Sequence, residues 1–311
     1  MRAPIDPLDV LLDQSRHAAQ RLRTGRPVRI AFVACSYDTA FEPVSEQIEA
    51  KIRQLEEAYG RDEAVEWSLW IVDDLPPATG FSESVKVGFH WADSHWKIAE
   101  RLHCLPMKSA PPRAGGLKGR ALLDGMKAAL KAGVDIVVYL NLNLKVHARL
   151  TAVGLEMIAL NQADIAVGSR AHRDGGQVVG AGVLGRTKSR VFSRIARTAL
   201  PPLASYVDTN APIKAFSAQA AAHLIRHARL DDVTLDCEWL LLGHTAGFRM
   251  GRFPIAWVQR TGSRPPWHLI GLTLRDLWRL RRRWKAGDMP DRPDGYTASV
   301  AADAENRPPK G

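Results

Sequence analysis

The sequence predicts an α/β protein with a mostly parallel sheet flanked by helices. Two observations carry this. Apolar, β-branched runs of strand length recur at VRIAFVAC (28–35), WSLWIVDD (67–74), VVYL (137–140) and ADIAVGS (163–169), and they read as strands buried on both faces. Segments of helical periodicity lie between them, and strand–helix alternation of this kind signals parallel pairing through crossover helices.

The elements follow in order. A helical extension is expected over 1–27 and the α/β domain over 28–264. EPVSEQIEAKIRQLEEAYG (42–60) reads as a helix. The second strand ends on acids and leads into a Pro- and Gly-containing region from Leu75 to Gly88, then an aromatic-rich helical stretch near Trp91–Leu102. KSAPPRAGGLKG (108–119) reads as a loop and RALLDGMKAALKAG (120–133) as a helix; another helix separates the third and fourth strands. In the second half, GRTKSRVFSRIARTAL (185–200) reads as helix, VDTNAPIKAF (207–216) as a polar loop and TLDCEWLLLGHTAGF (234–248) as a helix ending at glycine. Pro254 removes a ladder donor from RMGRFPIAWVQR (249–260), which leaves an edge strand or two short ones. A basic amphipathic helix is expected within 265–287 and a disordered polar tail over 288–311.

Composition bounds the partners. The chain carries 43 basic and 33 acidic residues, a formal charge of +10, which draws anions: nucleic acid, anionic lipid or a phosphorylated substrate. Much of the excess lies in LTLRDLWRLRRRWKAG (272–287), where Leu277, Leu280 and Trp284 share one helical face and Arg275, Arg279, Arg282 and Arg283 lie opposite. A packing helix with a solvated basic face is the favoured reading, and a membrane-surface helix the alternative. No nucleic-acid module accompanies the charge, so nucleic acid is not an expected partner. Homo-oligomerisation stays open.

Cys35, Cys104 and Cys237 match no paired or zinc-ligand spacing, which fits a reducing compartment. The N-terminal MRAPIDPLDVLLDQS lacks a basic stretch followed by an apolar core, and no apolar run reaches the length of a bilayer span. The expectation is a cytoplasmic protein, with peripheral membrane contact left open.

Parallel sheets bind ligands at the carboxyl ends of their strands, so the polar residues there matter most. The first strand ends in Ser36, Tyr37 and Asp38, and the second in Asp73 and Asp74. GGLKG puts Lys118 at a helix start, where backbone N–H groups favour anions. The third strand runs into Asn141, Asn143 and Lys145, and the fourth into Ser169 and Arg170, whose planar fork suits a phosphate or a carboxylate. Then come DTNAPIKAF with Asp208 and Lys214, LDCEW with Asp236, Glu238 and Trp239, and RTGSR with Arg264. Each has a plainer role as well. Strand-end and helix-start acids act as caps or dipole partners, Arg170 pairs with a nearby Asp, and Asp208 with Lys214 makes a loop-ordering salt bridge.

Taken in this order, the pieces resemble the family 2 glycosyltransferases of the GT-A fold, and look nearest to the branch of dolichyl- and polyprenyl-phosphate sugar transferases. The resemblance covers residues 28 to about 264. It implies a UDP- or GDP-linked sugar donor. Asp73 or Asp74 would meet the base or ribose, with Ser36, Tyr37 and Asp38 lining the base pocket, and Lys118, Arg170 and Arg264 near the diphosphate. Asp236 and Glu238 fall on the family's acid/base site, where a carboxylate deprotonates the acceptor in an inverting transfer. Asp208, Lys214 and Trp239 fall on the acceptor side. Cys35 and Asp38 replace the family's usual proline and asparagine, and LPPATGFSE after Asp74 departs from its short turn.

The family's third strand ends in Asp-x-Asp, which holds Mg²⁺ or Mn²⁺ on the donor diphosphate. Here both acids are amides, Asn141 and Asn143, followed by Lys145. Amide oxygens supply no charge, whereas an ammonium is a ready phosphate partner. The expectation is therefore no metal cofactor, with Lys145, aided by Lys118, Arg170 or Arg264, in its place; a weakly held Mg²⁺ or Mn²⁺ stays open. The expected activity is an inverting, metal-independent transfer to a small-molecule acceptor of secondary metabolism. The alternatives are a polyprenyl-phosphate acceptor at a membrane surface, or a non-catalytic GT-A pseudo-enzyme.

Overall fold

A computed structural model describes residues 7–23, 27–36, 43–60, 64–73, 81–106, 118–180, 193–230, 234–258, 268–293 and 296. Its strands are β1 (Val28–Ser36), β2 (Val65–Asp73), β3 (Leu102–Pro106), β4 (Ile136–Leu140), β5 (Ile165–Ser169), β6 (Gln177–Val179), β7 (Ile213–Ser217), β8 (Met250–Pro254) and β9 (Ala256–Val258). Its helices are α1 (Pro7–Arg23), α2 (Val44–Tyr59), α3 (Phe81–Trp96), α4 (Lys118–Lys131), α5 (Thr151–Ala159), α6 (Ala218–His227), α7 (Leu235–Thr245) and α8 (His268–Lys285). Seven strands form one sheet in the order β3-β2-β1-β4-β7-β5-β8, and β6 pairs with β9 in a small second one. Only β7 runs against its neighbours in the large sheet.

The period-2 alternation of each strand splits the core in two. Along β1, Ile30, Phe32 and Ala34 join a cluster with Leu22 of α1, Ile52 of α2, Ala92 of α3 and Leu155 of α5. Ala31, Val33 and Cys35 join the opposite cluster, with Met126 of α4, Leu224 of α6, Trp239 of α7 and Leu280 of α8. From β1 the chain steps outward to β2 and β3, then crosses back to β4 on the other side of β1. That reversal opens a crevice at the carboxyl edge between β1 and β4.

The sheet holds two strands that the sequence did not announce. LHCLP, of which only Leu102 falls within the expected helical stretch, is the edge strand β3, with the His103 ring stacked 3.9 Å from that of Trp70. IKAFS, expected within a polar loop, is β7 in the interior of the sheet; Lys214 disguised it. Of residues 185–200, expected as helix, those described as helical are 193–199. Pro254 does split its segment, into β8 and β9 in different sheets.

Both chain ends are more integrated than expected. In α1, Leu11, Ala18, Ala19 and Leu22 are buried in the core, and Arg21 pairs with Glu156 of α5. The expected disordered tail begins docked: Asp288 pairs with Arg229 at 2.9 Å, and Arg292 donates to the Gly247 carbonyl at 3.2 Å. Tyr296 is buried against Phe248, ring centroids 5.0 Å apart, and its hydroxyl donates to Asp164. The Asp164 carboxylate also accepts the Arg249 backbone N–H (2.9 Å), Nε (2.9 Å) and Nη2 (2.8 Å). Burial works against its charge, but the hydrogen bonds from Arg249 and Tyr296 outweigh it and hold the carboxyl below its ordinary range. Among the described residues no helix is long and apolar enough to cross a membrane.

Two predictions follow from these contacts. A Cβ at Gly125 of α4 would lie 2.6 Å from both Val33 Cγ1 and Val72 Cγ2. Gly125→Ala should therefore cost about 1–3 kcal/mol by overpacking, despite alanine's better helix propensity; a raised Tm would refute this contact. Asp164→Asn should destabilise by about 2 kcal/mol at neutral pH. A depressed folded pKa adds stability above the unfolded value and loses it on acidification. The deficit of Asp164→Asn should thus shrink as pH falls below about 4, which urea titrations at several pH values would read.

Candidate active site

The end of β4 is folded by its own amides. Asn141 Oδ1 accepts the Asn143 N–H at 3.3 Å, and Asn143 Oδ1 accepts the Lys145 N–H at 3.2 Å, two side-chain turns in tandem. The Asn141 N–H donates to the Pro212 carbonyl at 3.0 Å, tying the turn to the loop before β7. From α2, buried Lys51 donates to the Val146 carbonyl, and Gln54 Oε1 accepts the Ala148 N–H at 2.8 Å. Burial lowers the Lys51 pKa to about 7. His147 caps the next turn through Nδ1 (3.1 Å from the Arg149 N–H), and burial, aided by the Lys51 and Arg149 charges, drives it down to about 4. From the other side, the Lys145 carbonyl accepts the Val258 N–H of β9 at 2.7 Å.

With its backbone fixed, Lys145 extends its ammonium over the indole of Trp257, 5.8 Å from the ring centroid. The Arg170 guanidinium lies 5.2 Å from the same ring. Two cations thus share one aromatic platform, an attractive arrangement for each. Burial lowers the Lys145 pKa, and among the described residues Lys145 makes no ion pair. Trp257 is absent from the residues singled out by sequence; the strand-splitting Pro254 three positions earlier was the sole hint that this segment reaches the edge.

Behind the platform lie two buried ion pairs. Asp208 accepts from Arg170 three times: its N–H at 2.9 Å and Nε at 2.8 Å on Oδ2, and Nη2 at 2.7 Å on Oδ1. Arg170 Nη2 also donates to the Asn210 carbonyl at 3.0 Å. Burial disfavours the Asp208 charge, but Arg170 more than compensates and holds the carboxyl below its usual range. Lys214, wholly buried, donates to Asp236 Oδ1 at 2.5 Å and to the Ala211 carbonyl at 2.8 Å. The expected Asp208–Lys214 bridge is replaced by these two pairs, because β7 carries Lys214 toward α7 while the strand-end turn after β5 delivers Arg170 to Asp208.

Asp236 and Glu238 meet different surroundings. Residues two apart on a helix face nearly opposite ways, so Glu238 turns from the sheet edge. Its Oε2 accepts the N–H groups of Arg229 (3.0 Å) and Leu230 (2.8 Å), and its Oε1 accepts Arg283 Nη1 of α8 at 2.5 Å. Burial raises its pKa against the pull of these partners. Trp239 packs in the core, edge-on to Phe216 (5.3 Å) and Tyr139 (6.1 Å). Ser36 and Asp73 end adjacent strands in register, and Lys118 begins α4. Tyr37, Asp38, Asp74 and Arg264 lie outside the described residues.

A divalent cation would find two neutral amide oxygens here, each already accepting a backbone N–H, beside an ammonium. The turn itself supplies no carboxylate ligand. Among the described residues no group of three or more His, Cys, Asp or Glu is placed to hold a metal.

No protein-family model matches the chain, and no curated protein sequence does. Solved structures do. Glucosyl-3-phosphoglycerate synthase from Mycobacterium tuberculosis, in complex with Mn²⁺, UDP and glucosyl-3-phosphoglycerate, aligns at a TM-score of 0.56 with 15% identity, covering 94% of this chain and 87% of that one. The same enzyme with Mn²⁺, UDP-glucose and phosphoglyceric acid aligns at 0.56 and 14%, with the same coverage. Its complex with Mg²⁺ and UDP aligns at 0.55 and 14%, over 93% of this chain and 86% of that one. At such identity the likeness is one of fold: the chain shares the GT-A architecture expected from its sequence.

Proposed function

We propose that the protein is an inverting glycosyltransferase that moves a sugar from a nucleotide-diphosphate sugar to a small-molecule acceptor, with Lys145 supplying the charge that a divalent cation supplies elsewhere in the fold. The observation that carries this reading is the pair of cations, Lys145 and Arg170, gathered on Trp257 at the carboxyl edge. The fold neighbours' donor and acceptor, UDP-glucose and phosphoglyceric acid, support a nucleotide sugar and a small acceptor.

In this reading the acceptor hydroxyl attacks the anomeric carbon from the face opposite the nucleotide. The bond from that carbon to the diphosphate oxygen breaks, and its electron pair leaves with the nucleotide. Lys145 and Arg170, already in place, meet the charge that builds there. Asp236 takes the acceptor proton, its carboxylate oriented by Lys214. Asp208 is a positioning residue that aims Arg170. Glu238 and Trp239 are assigned structural roles. The Asn141 and Asn143 amides hold the turn that lifts Lys145. The location is cytoplasmic and the acceptor a soluble metabolite, with a polyprenyl phosphate as the alternative acceptor.

A second reading rests on the Mn²⁺ and Mg²⁺ in the neighbours' complexes: Asn141 and Asn143 would hold a weakly bound ion, which would supply positive charge for the donor diphosphate. Two measurements separate the readings. Sugar transfer from UDP- and GDP-linked donors should run at the same rate in excess EDTA as in Mn²⁺. Lys145→Ala should lower kcat/KM about a hundredfold or more, the scale of losing one preorganised donor, with the fold intact by circular dichroism. A rate that needs Mn²⁺ and ignores Lys145→Ala would establish the metal instead. Nucleotide binding by thermal shift with no turnover on any acceptor would mark a binding protein. Asn143→Asp, which sets a carboxylate beside Lys145, should weaken UDP binding about tenfold in EDTA, on the scale of one short-range charge effect; unchanged binding would count against the lysine's role.

A further inference from the structure

Helix α8 has a second row that the core does not use. Thr273, Leu277 and Leu280 face inward, and Arg281 donates to the Thr198 and Ala199 carbonyls at 3.1 and 2.8 Å. The outward row runs Gly271, Leu274, Arg275, Trp278, Arg279, Arg282 and Lys285, all exposed. It holds four cations and no carboxylate. Leu274 is 48% exposed and Trp278 56%, one helical turn apart.

The row is arranged rather than merely basic. Asp276, buried at its edge, accepts from Arg275 Nε at 3.2 Å and from Arg279 Nη1 at 3.4 Å, fixing both beside Trp278. The Arg282 guanidinium stacks 4.7 Å from the Trp278 ring. Next to the row, a cavity of about 460 Å³ opens between Arg229, Leu230, Arg279, Leu280, Arg282 and Arg283. Asp288 stands at its rim, paired with Arg229 (2.9 Å) and 3.5 Å from Arg283 Nε.

We propose that this face docks on an anionic lipid bilayer. Leu274 and Trp278 enter the boundary between headgroups and acyl chains, and Arg275, Arg279, Arg282 and Lys285 meet lipid phosphates. The neighbouring cavity receives one headgroup phosphate, which displaces Asp288 from the half-exposed Arg229. A helix lying flat on its domain, with an aromatic and a leucine flanked by cations, matches the physics of interfacial attachment. The charge alone would suit nucleic acid, but Leu274, 48% exposed in the middle of the row, would then remain in water. None of these residues belongs to the proposed catalytic edge, so the docking face stands or falls separately from the activity.

The test is co-sedimentation of the full-length protein with vesicles of neutral phosphatidylcholine or of phosphatidylcholine mixed with phosphatidylglycerol. Binding should require the anionic lipid and weaken with added salt. Arg279→Gln with Arg282→Gln should weaken it about thirtyfold. Leu274→Ser with Trp278→Ser should weaken it at least about tenfold, with Tm unchanged within a few degrees. Inorganic phosphate at matched ionic strength should leave vesicle binding intact. The proposal is overturned by equal binding to neutral vesicles, by wild-type binding in the Leu274/Trp278 double variant, by displacement with inorganic phosphate, or by retention on duplex RNA but not on vesicles.

Discussion

Lys214 sits wholly buried in an interior strand of the sheet, so its ammonium depends on Asp236 and the Ala211 carbonyl. Asp208 likewise depends on Arg170. Removing one member of such a pair strands its partner's charge, at a cost of about 3–5 kcal/mol. The two pairs join four separate pieces of chain: the end of β5, the loop before β7, β7 itself and the start of α7. They fix the carboxyl edge, and everything proposed to happen at that edge relies on them. The formal charges of the quartet sum to zero. Lys145, which makes no ion pair among the described residues, shares the Trp257 ring with Arg170.

That division of labour explains the asparagines at the end of β4. Carboxylates at those positions would place negative charge beside the quartet and need a cation in return. Amides turn the backbone by accepting its N–H groups and bring no charge. The lysine two residues on is then lifted onto the indole. Buried Lys51 and part-buried Gln54 brace the same turn from α2, so its shape is set by hydrogen bonds from three directions.

Much of the fold was legible because burial leaves a periodic trace. The apolar runs that became β1, β2, β4 and β5, and the alternation with helices, required the doubly covered sheet that is observed. β7 was not legible, since a lysine in a strand reads as solvent-facing until its counter-ion, 22 residues away in sequence, is known. Tyr296 escaped for a similar reason: its partner Asp164 lies 132 residues away, and nothing local marks a tail tyrosine as buried. That Asp236 and Glu238 would meet different partners was not legible either: a spacing of two turns the second acid toward Arg283 and α8.

What the sequence determined by itself was the class of fold, the strand ends that carry polar groups, and the substitution of amides and a lysine for an acid pair. These follow from composition and period, which are local properties. Tertiary structure alone decided which charges meet. Asp208 takes Arg170, Lys214 takes Asp236, Glu238 takes Arg283, and Trp257 comes beneath Lys145 and Arg170. The reason is physical: an ion pair or a cation–ring contact is set by distances of a few ångströms between residues far apart along the chain, and only the crossing of strands fixes those.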